Sequence, residues 1–302
     1  MAKEYVCLGI DISRTGLKIA LADPSQKKIF KVDSLPASGD PLADTSIYAS
    51  ALSSWIRSNV QSKFESIAVS FPAGYGLIRT VEIPKEAKNA TDYVQWEFSS
   101  AVETGKAGEI LKIANAEKSD DYELDIAFYP NEKKAERATV TALKRKFIDS
   151  FCSPDVEKNG LRPACLTADI IATLNLLEVT EGLGSTVKCI LKADDHSVIA
   201  VWGDGSGPLA IRTAEPSAEA IIKILESGFS QFSKAKRVVK FCGELTANKD
   251  FTDELIKQAA GLPQGIKISV WDAVSKFSLE KHGNFSKLSE CIAAVGVTLN
   301  CV

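Results

Sequence analysis

Two stretches of the chain, one in each half, carry the same pattern of two short apolar strands joined by a polar turn. The first pair reads VCLGI and LKIALAD. The alignment that lays Ile10 over Ile190 also lays Ala20 over Ala200, and apolar positions then coincide on both strands. Two halves that each begin with such a hairpin predict duplicated domains that face each other across a cleft.

Apolar runs typical of strands alternate with stretches of helical spacing along the whole chain. SIAVSFP, ATVTAL and VVKFCG are predicted strands, and Ala51, Trp55 and Ile56 show the spacing of a helix face. This alternation indicates an α/β protein whose sheets are covered by helices. A length of 302 residues favours two domains over one.

The composition changes between Pro84 and about Pro130, where charged and amide side chains accumulate. Tyr93 and Trp96 fall at helical spacing there, so we expect a small inserted subdomain. The segment EGLGS is the expected boundary between the two halves. The predicted units are a first domain of residues 1–83 and 151–185, an inserted subdomain of residues 84–150, and a second domain of residues 186–302.

The charge balance excludes some classes of partner. With 36 basic and 39 acidic residues the formal net charge is −3, so nucleic acid is not an expected partner. The longest uncharged apolar stretch, around Cys291 to Leu299, is too short to cross a bilayer, and no targeting segment precedes the first strand pattern. We therefore expect a cytoplasmic protein without direct membrane insertion.

The cysteines and histidines do not form a metal-binding pattern. Seven cysteines are scattered without a CxxC pair, and His196 and His282 are the two histidines. This argues against a zinc site. Most thiols have apolar neighbours, which favours reduced core residues over disulfides.

The stretches GIDISRTGLKIA, LIRTVEIP and CIAAVGVTL resemble the PilM family of actin-like proteins. The order of elements is similar over nearly the whole chain. The resemblance implies an α/β fold of the actin-like, ribonuclease H-like class, with duplicated domains and a small inserted subdomain. The family carries a lid in its second half, but Gly205 to Ser217 leaves room here for little more than a strand and a turn, so the lid is expected to be reduced.

In such folds the first hairpin of each half holds nucleotide phosphates and a magnesium-bound water. By the resemblance, Asp11 is the carboxylate on the magnesium side and Gly243 and Glu244 belong to the adenosine segment. ATP and Mg²⁺ are the implied cofactors if the site is retained. The first phosphate loop is then formed by Ser13, Arg14, Thr15, Gly16 and Lys18.

Several positions depart from the family pattern. Ser13 stands where the family has glycine, and the alignment of the two halves places Leu191 and Ala193 where a second Asp-x-Gly loop is expected. Of the paired glycines of the adenosine segment, Gly243 alone is present. The stretch Asp194-Asp195-His196 is interpreted as an exposed turn rather than a displaced metal site. A degenerate nucleotide site with no catalytic residues is therefore the favoured interpretation.

The resemblance also implies a partner. PilM-like proteins dock the cytoplasmic tail of a single-span inner-membrane platform protein, PilN-like, as an extended peptide between the first domain and the inserted subdomain. Peripheral attachment to the inner membrane follows from such a partner, and self-association stays open. The matching region runs from about Arg79 to Phe128. Its candidate contact residues are Arg79, Tyr93, Trp96 and Phe98, with a role in the core as the alternative for the aromatic side chains.

Three other functions remain as alternatives. The first is an active ATP-binding protein of the PilM or FtsA type, and the second is a small-molecule kinase of the same superfold. The third is an unrelated two-domain α/β binding protein. The type II secretion protein GspL also carries an actin-like domain, so the sequence does not decide between a pilus and a secretion machine.

Overall fold

The structure is a computed structural model, and it describes most of the chain. The described residues are 6–41, 43–60, 64–72, 75–104, 118–129, 131–233, 235–263, 265–283 and 288–301. The α-helices among them are α1 (Thr45–Asn59), α2 (Ala90–Glu103), α3 (Arg145–Phe151), α4 (Pro154–Lys158), α5 (Asp169–Glu181), α6 (Ala218–Gln231), α7 (Lys249–Ala260) and α8 (Ile292–Thr298).

A six-stranded sheet forms the first half. Its first two strands are an antiparallel hairpin, and the following strand extends the meander. Both faces of the hairpin strands are buried, which explains their nearly continuous apolar sequence. In spatial order the strands are β14 (Ser278–His282), β3 (Lys28–Pro36), β2 (Gly16–Asp23), β1 (Cys7–Ile12), β4 (Ser66–Phe71) and β8 (Cys165–Ala168).

A five-stranded sheet of the same design forms the second half. It also begins with an antiparallel hairpin whose first strand pairs in parallel with a later strand. The predicted pair of equivalent hairpins in two sheets is thus confirmed. The strand order is β11 (Gly207–Ala214), β10 (Ser197–Asp204), β9 (Lys188–Asp194), β12 (Val238–Cys242) and β13 (Lys267–Val270).

The register of the two hairpins differs by one position from the alignment of their sequences. Asp11 lies opposite Lys18 in the first hairpin, and Lys192 lies opposite Ile199 in the second. The two hairpins have the same register when Asp11 is matched with Lys192 and Lys18 with Ile199. Lys192, and not Leu191, is therefore the structural counterpart of Asp11.

The predicted inserted unit is a three-stranded antiparallel sheet covered by α2. Its first strand begins at Gly76, ahead of Pro84, because residues 76–82 pair with the central strand of this small sheet. The spatial order is β5 (Gly76–Glu82), β7 (Arg137–Lys144) and β6 (Tyr122–Tyr129).

The end of the described chain returns to the first sheet, although the sequence predicts that residues 186–302 form the second domain. Strand β14 pairs in parallel with β3. Helix α8 packs so closely on β1 that a Cβ on Gly9 would clash with the carbonyl oxygen of Ala294. The fully buried α8 therefore belongs to the core beneath the first hairpin.

The second half has no inserted lid between its first hairpin and α6. Strand β11 continues the meander after β10, and α6 begins at Ala218. The side chain of Ser217 caps this helix by accepting a hydrogen bond from the amide of Ala220. This agrees with the reduced lid expected from the short sequence in this region.

Candidate functional site

A buried cluster of one lysine and three aspartates lies where the two sheets meet. Lys192 of β9 places its Nζ 3.3 Å from Asp11 Oδ2 and 2.8 Å from Asp169 Oδ2, and it also contacts Asp194 Oδ2. All four side chains are at least nine-tenths buried. We call these residues the Lys192 cluster. It joins β1 and the start of α5 to β9 and is therefore a polar link between the two halves.

The ammonium of Lys192 occupies the centre of the predicted metal site. Its counterpart in the first hairpin, Asp11, is the residue to which the resemblance gives the magnesium side. A divalent cation needs oxygen ligands without a competing positive charge among them. The residues present therefore do not fit Mg²⁺, because Lys192 already contacts each of the three carboxylates.

Burial dominates the electrostatics of the cluster. It raises the pKa of Asp11 to about 7, although Lys192 and a 2.7 Å hydrogen bond from Ser70 Oγ act in the opposite direction. Burial also raises the pKa of Asp169. For Lys192 burial opposes the ammonium, but the three carboxylates outweigh it and hold its pKa well above the ordinary value. A permanent ammonium thus faces two carboxyl groups that take up protons more readily than an exposed aspartate does.

In the predicted first phosphate loop, two backbone amides form hydrogen bonds within the loop itself. The amide of Ser13 donates to the carbonyl of Gly16 at 2.9 Å, and the amide of Thr15 lies 3.4 Å from Ser13 Oγ. The side chain of Arg14 turns away, with its Nε donating to Tyr75 Oη at 3.1 Å. The amides of Ser13 and Thr15 therefore stabilise the hairpin turn itself, and Arg14 is bonded outside it.

Lys18, the cation expected to contact phosphate, is held by other groups. Its Nζ donates to Ser34 Oγ at 3.1 Å and lies 3.4 Å from Glu244 Oε1 and 3.8 Å from Glu290 Oε2. Glu244 belongs to the predicted adenosine segment. The structure thus joins the two predicted binding segments through an ion pair between Lys18 and Glu244.

Gly243 is required for close packing within the chain. Its φ is +100°, and a Cβ there would lie 2.5 Å from the Ala193 carbonyl oxygen and 2.8 Å from Asp194 Oδ1. The next amide, that of Glu244, donates to Asp194 Oδ1 at 2.9 Å. In the predicted adenosine segment, the end of β9 thus packs directly against Gly243.

The stretch interpreted as an exposed turn divides into two parts. Asp195 and His196 are exposed at the tip of the second hairpin. Asp194 is buried at the end of β9 and belongs to the Lys192 cluster, so its interpretation as an exposed residue was wrong. Sequence reasoning also missed Lys192 and Asp169. The available signal was a lysine within the apolar run KCILKA.

The predicted partner residues are divided between surface and core. Phe98 is 1% exposed and makes an edge contact with Tyr122, so it belongs to the core and is not available to a partner. Arg79, Tyr93 and Trp96 line a groove of about 510 Å³ between α2 and β11. We call it the Trp96 groove, and its other lining residues are Thr80, Glu97, Ser100, Ala101, Thr104 and Ile211.

A second groove, of about 300 Å³, lies between the small sheet and the first sheet. Strands β6 and β8, each at the end of its sheet, contribute to it. None of the four predicted partner residues lines it. We call it the β6–β8 groove, and its lining residues are Glu123, Leu124, Asp125, Thr141, Leu143, Ile148, Phe151, Cys152, Arg162, Pro163, Ala164, Leu166 and Thr167.

The described residues hold no group of three or more histidine, cysteine or acidic side chains placed for a metal ion. All seven cysteines lie in the described ranges and are unbridged thiols. In that part of the chain, no helix has the length and apolar character needed to cross a membrane.

Comparison with known proteins identifies the fold. No protein-family model matches the sequence, and no curated protein matches it. The chain is similar to one in the PilM–PilN type IV pilus biogenesis complex, with a TM-score of 0.72, 15% identity and coverage of 99% of both chains. It is also similar to the cytoplasmic domain of EpsL, an inner-membrane component of the type II secretion system of Vibrio cholerae. That TM-score is 0.54 at 11% identity, over 97% of this chain and 95% of the other. The fold of the chain is therefore actin-like and similar to that of the chain in the PilM–PilN complex.

Proposed function

We propose that this protein is a scaffold of an inner-membrane platform, in a type IV pilus or a related secretion machine. It docks the cytoplasmic tail of a single-span membrane protein, and the Lys192 cluster takes the place of a bound nucleotide. The full-length likeness to a chain of the PilM–PilN complex supports the assignment to a platform. The proposal that the cleft is structural rests on one observation. Lys192 contacts Asp11, Asp169 and Asp194.

An internal cation gives the cleft a fixed geometry. In a nucleotide-dependent protein the two halves are held through Mg²⁺ and phosphate, which leave when the nucleotide is released or hydrolysed. Lys192 is a residue of β9 that contacts Asp11 of β1 and Asp169 of α5, so this cation cannot dissociate as a bound metal ion can. Removing one member of a buried ion pair generally costs about 3–5 kcal/mol. The two halves therefore keep one arrangement without a ligand, as a scaffold requires.

The same arrangement disfavours a triphosphate. The amides of Ser13 and Thr15 form hydrogen bonds within the hairpin, and Arg14 donates to Tyr75. Lys18 pairs with Glu244 and Glu290. A bound nucleotide would have to break these interactions and bring its own metal beside Lys192. Breaking these interactions would oppose nucleotide binding, so we propose that ATP does not bind at useful concentrations.

The β6–β8 groove is the proposed docking site for the tail. It separates the inserted sheet from the first sheet and has an edge strand on each side. An extended peptide recognises such edges through its backbone and places alternate side chains in pockets. Thr141 lines the groove and is half-buried, so a larger residue there would fill the space.

The docking proposal is tested by copurification followed by a binding assay. Tagged protein is recovered from detergent-solubilised membranes of its own cells, and copurifying single-span proteins are identified. The cytoplasmic tail of each is then synthesised as a peptide and titrated into the wild type and the Thr141→Trp variant. Ser58→Trp, on the exposed end of α1, serves as the control.

We expect a tail peptide that binds the wild type and Ser58→Trp equally and binds Thr141→Trp at least about tenfold more weakly, which corresponds to about 1.4 kcal/mol. Recovery of no single-span membrane protein would overturn the scaffold role. Equal binding to all three proteins would overturn the location of the site.

A further inference from the structure

The Trp96 groove contains a tryptophan that is open to solvent. All four tryptophans lie in the described ranges, and Trp96 is 63% exposed, whereas Trp55, Trp202 and Trp271 are at most 5% exposed. The Trp96 ring lies 5.9 Å from that of Tyr93, centroid to centroid, and the two planes are inclined by 42°. Tryptophan side chains in grooves often carry much of the binding energy of an interface.

The surface around Trp96 is acidic. Asp92, Trp96 and Glu103 lie four and seven positions apart, so they share one side of α2, and all three are exposed. Glu97, which is paired with Arg79, also lines the groove, and the helix has no basic residue. An exposed aromatic ring between carboxylates on a helix without basic residues is complementary to a cationic group.

One carboxylate that lines the groove has a hydrogen bond on only one of its two oxygens. Arg79 donates to Glu97 Oε1 at 2.6 Å. The other oxygen, Oε2, is buried and accepts no hydrogen bond within the part of the chain that is described. Arg79 thus neutralises the charge of Glu97. The hydroxyl-bearing residues Thr80 and Ser100 also line the groove.

We propose that the Trp96 groove binds an arginine-containing extended segment of a partner protein. The planar guanidinium stacks on the indole of Trp96, which favours arginine over lysine, and the carboxylates of Asp92 and Glu103 flank it. Basic residues are concentrated at the cytoplasmic ends of membrane spans. That the segment is the basic part of a membrane partner's tail rests on the proposed function. That it contains arginine rests on the residues of this groove alone.

A hexa-arginine peptide is the probe, and the exposed indole is the reporter. Peptide is titrated into the full chain while tryptophan emission and acrylamide quenching are followed, and affinities are measured by calorimetry. The variants are Trp96→Ala and the double change Asp92→Asn with Glu103→Gln. The matched control replaces two exposed carboxylates of α6, Glu219→Gln with Glu226→Gln. Thermal melting of each variant confirms that it is folded.

We expect saturable binding that shields Trp96 from acrylamide, and several-fold weaker binding of hexa-lysine. Trp96→Ala and the α2 double variant should each weaken binding by about tenfold, while the α6 control and Thr141→Trp bind as the wild type does. Absence of binding, an undiminished affinity in Trp96→Ala, or equal weakening by the α2 and α6 changes would overturn the proposal. If tail docking fails while hexa-arginine binding still requires Trp96, the groove assignment stands and only the source of the segment is wrong.

Discussion

Lys192 and Asp11 take equivalent positions in the two hairpins, and the Nζ of Lys192 lies 3.3 Å from the Oδ2 of Asp11. The duplicated fold therefore places a cation and a carboxylate opposite each other at its centre. Asp169 and Asp194 also contact the same ammonium, so the buried carboxylates have their counter-ion within the protein.

Replacing Lys192 should destabilise the protein strongly. Lys192→Met keeps most of the side-chain volume but leaves three buried carboxylates without their cation, so we expect a loss of about 3–5 kcal/mol in the free energy of unfolding. Urea denaturation measures it. Lys223→Met, which breaks an exposed pair with Glu219, is the control and should change stability by less than about 1 kcal/mol. A similar small effect at both positions would show that the Lys192 cluster is not structural.

The stability of the protein should depend on the protonation of Asp11. Because burial raises its pKa to about 7 in the folded state, the folded protein binds more protons than the unfolded chain between about pH 4 and pH 7. The contribution of Asp11 to stability is therefore greatest below about pH 4 and is lost as the pH rises through about 7.

Asp11→Asn, which keeps an acceptor for Ser70 Oγ, should accordingly flatten this part of the stability profile. Unfolding free energies at about pH 5 and about pH 8 provide the comparison. Asp253→Asn, at an exposed position of α7, should leave the profile as it is in the wild type. An unchanged pH dependence in Asp11→Asn would contradict a raised pKa at this residue.

Gly243 should tolerate no side chain. Gly243→Ala combines a φ of +100° with a Cβ 2.5 Å from the Ala193 carbonyl oxygen, so a loss of more than about 2 kcal/mol is expected. Gly160→Ala is the matched control, because φ is +66° there and no atom lies within 4 Å of the added Cβ. It should cost only about 1 kcal/mol. Equal losses at both sites would mean that the contact with Ala193 is unimportant.

Two aromatic residues of α2 should respond differently to truncation. Phe98→Ala opens a cavity in the core of the small sheet and should cost about 3–5 kcal/mol, whereas Trp96→Ala should change stability by no more than about 0.5 kcal/mol. Melting temperatures of the two variants make the comparison. A large drop for Trp96→Ala would show that this residue packs in the core and would remove the basis of the Trp96 groove.

The hairpins could be predicted from the sequence, but their register could not. Strands β1 and β9 are buried on both faces, so their apolar residues do not alternate with polar ones. A slip of one residue normally exchanges the two faces of a strand and is easy to detect, but it leaves little trace in a continuous apolar run. The sequence alignment therefore matches Lys192 with Ile12, and Asp11 with Leu191.

The helix α2 could likewise be predicted, but the orientation of its aromatic side chains could not be assigned. Residues two positions apart in a helix point in nearly opposite directions, so Trp96 and Phe98 cannot both face the surface. Which of them is exposed depends on how the helix packs on the small sheet. The Lys192 cluster could not be predicted from the sequence either. Asp11, Asp169 and Lys192 are distant in sequence and meet only in the folded protein.

The most direct test of the proposed nucleotide-independent cleft is isothermal titration of the wild-type protein with ATP and Mg²⁺, with the Asp11→Ala variant alongside. We predict no saturable heat of binding to the wild type at concentrations up to roughly 1 mM, because Lys192 already occupies the site between the carboxylates. Micromolar binding to the wild type that disappears in Asp11→Ala would contradict the account and restore the interpretation of the chain as an active ATP-binding protein.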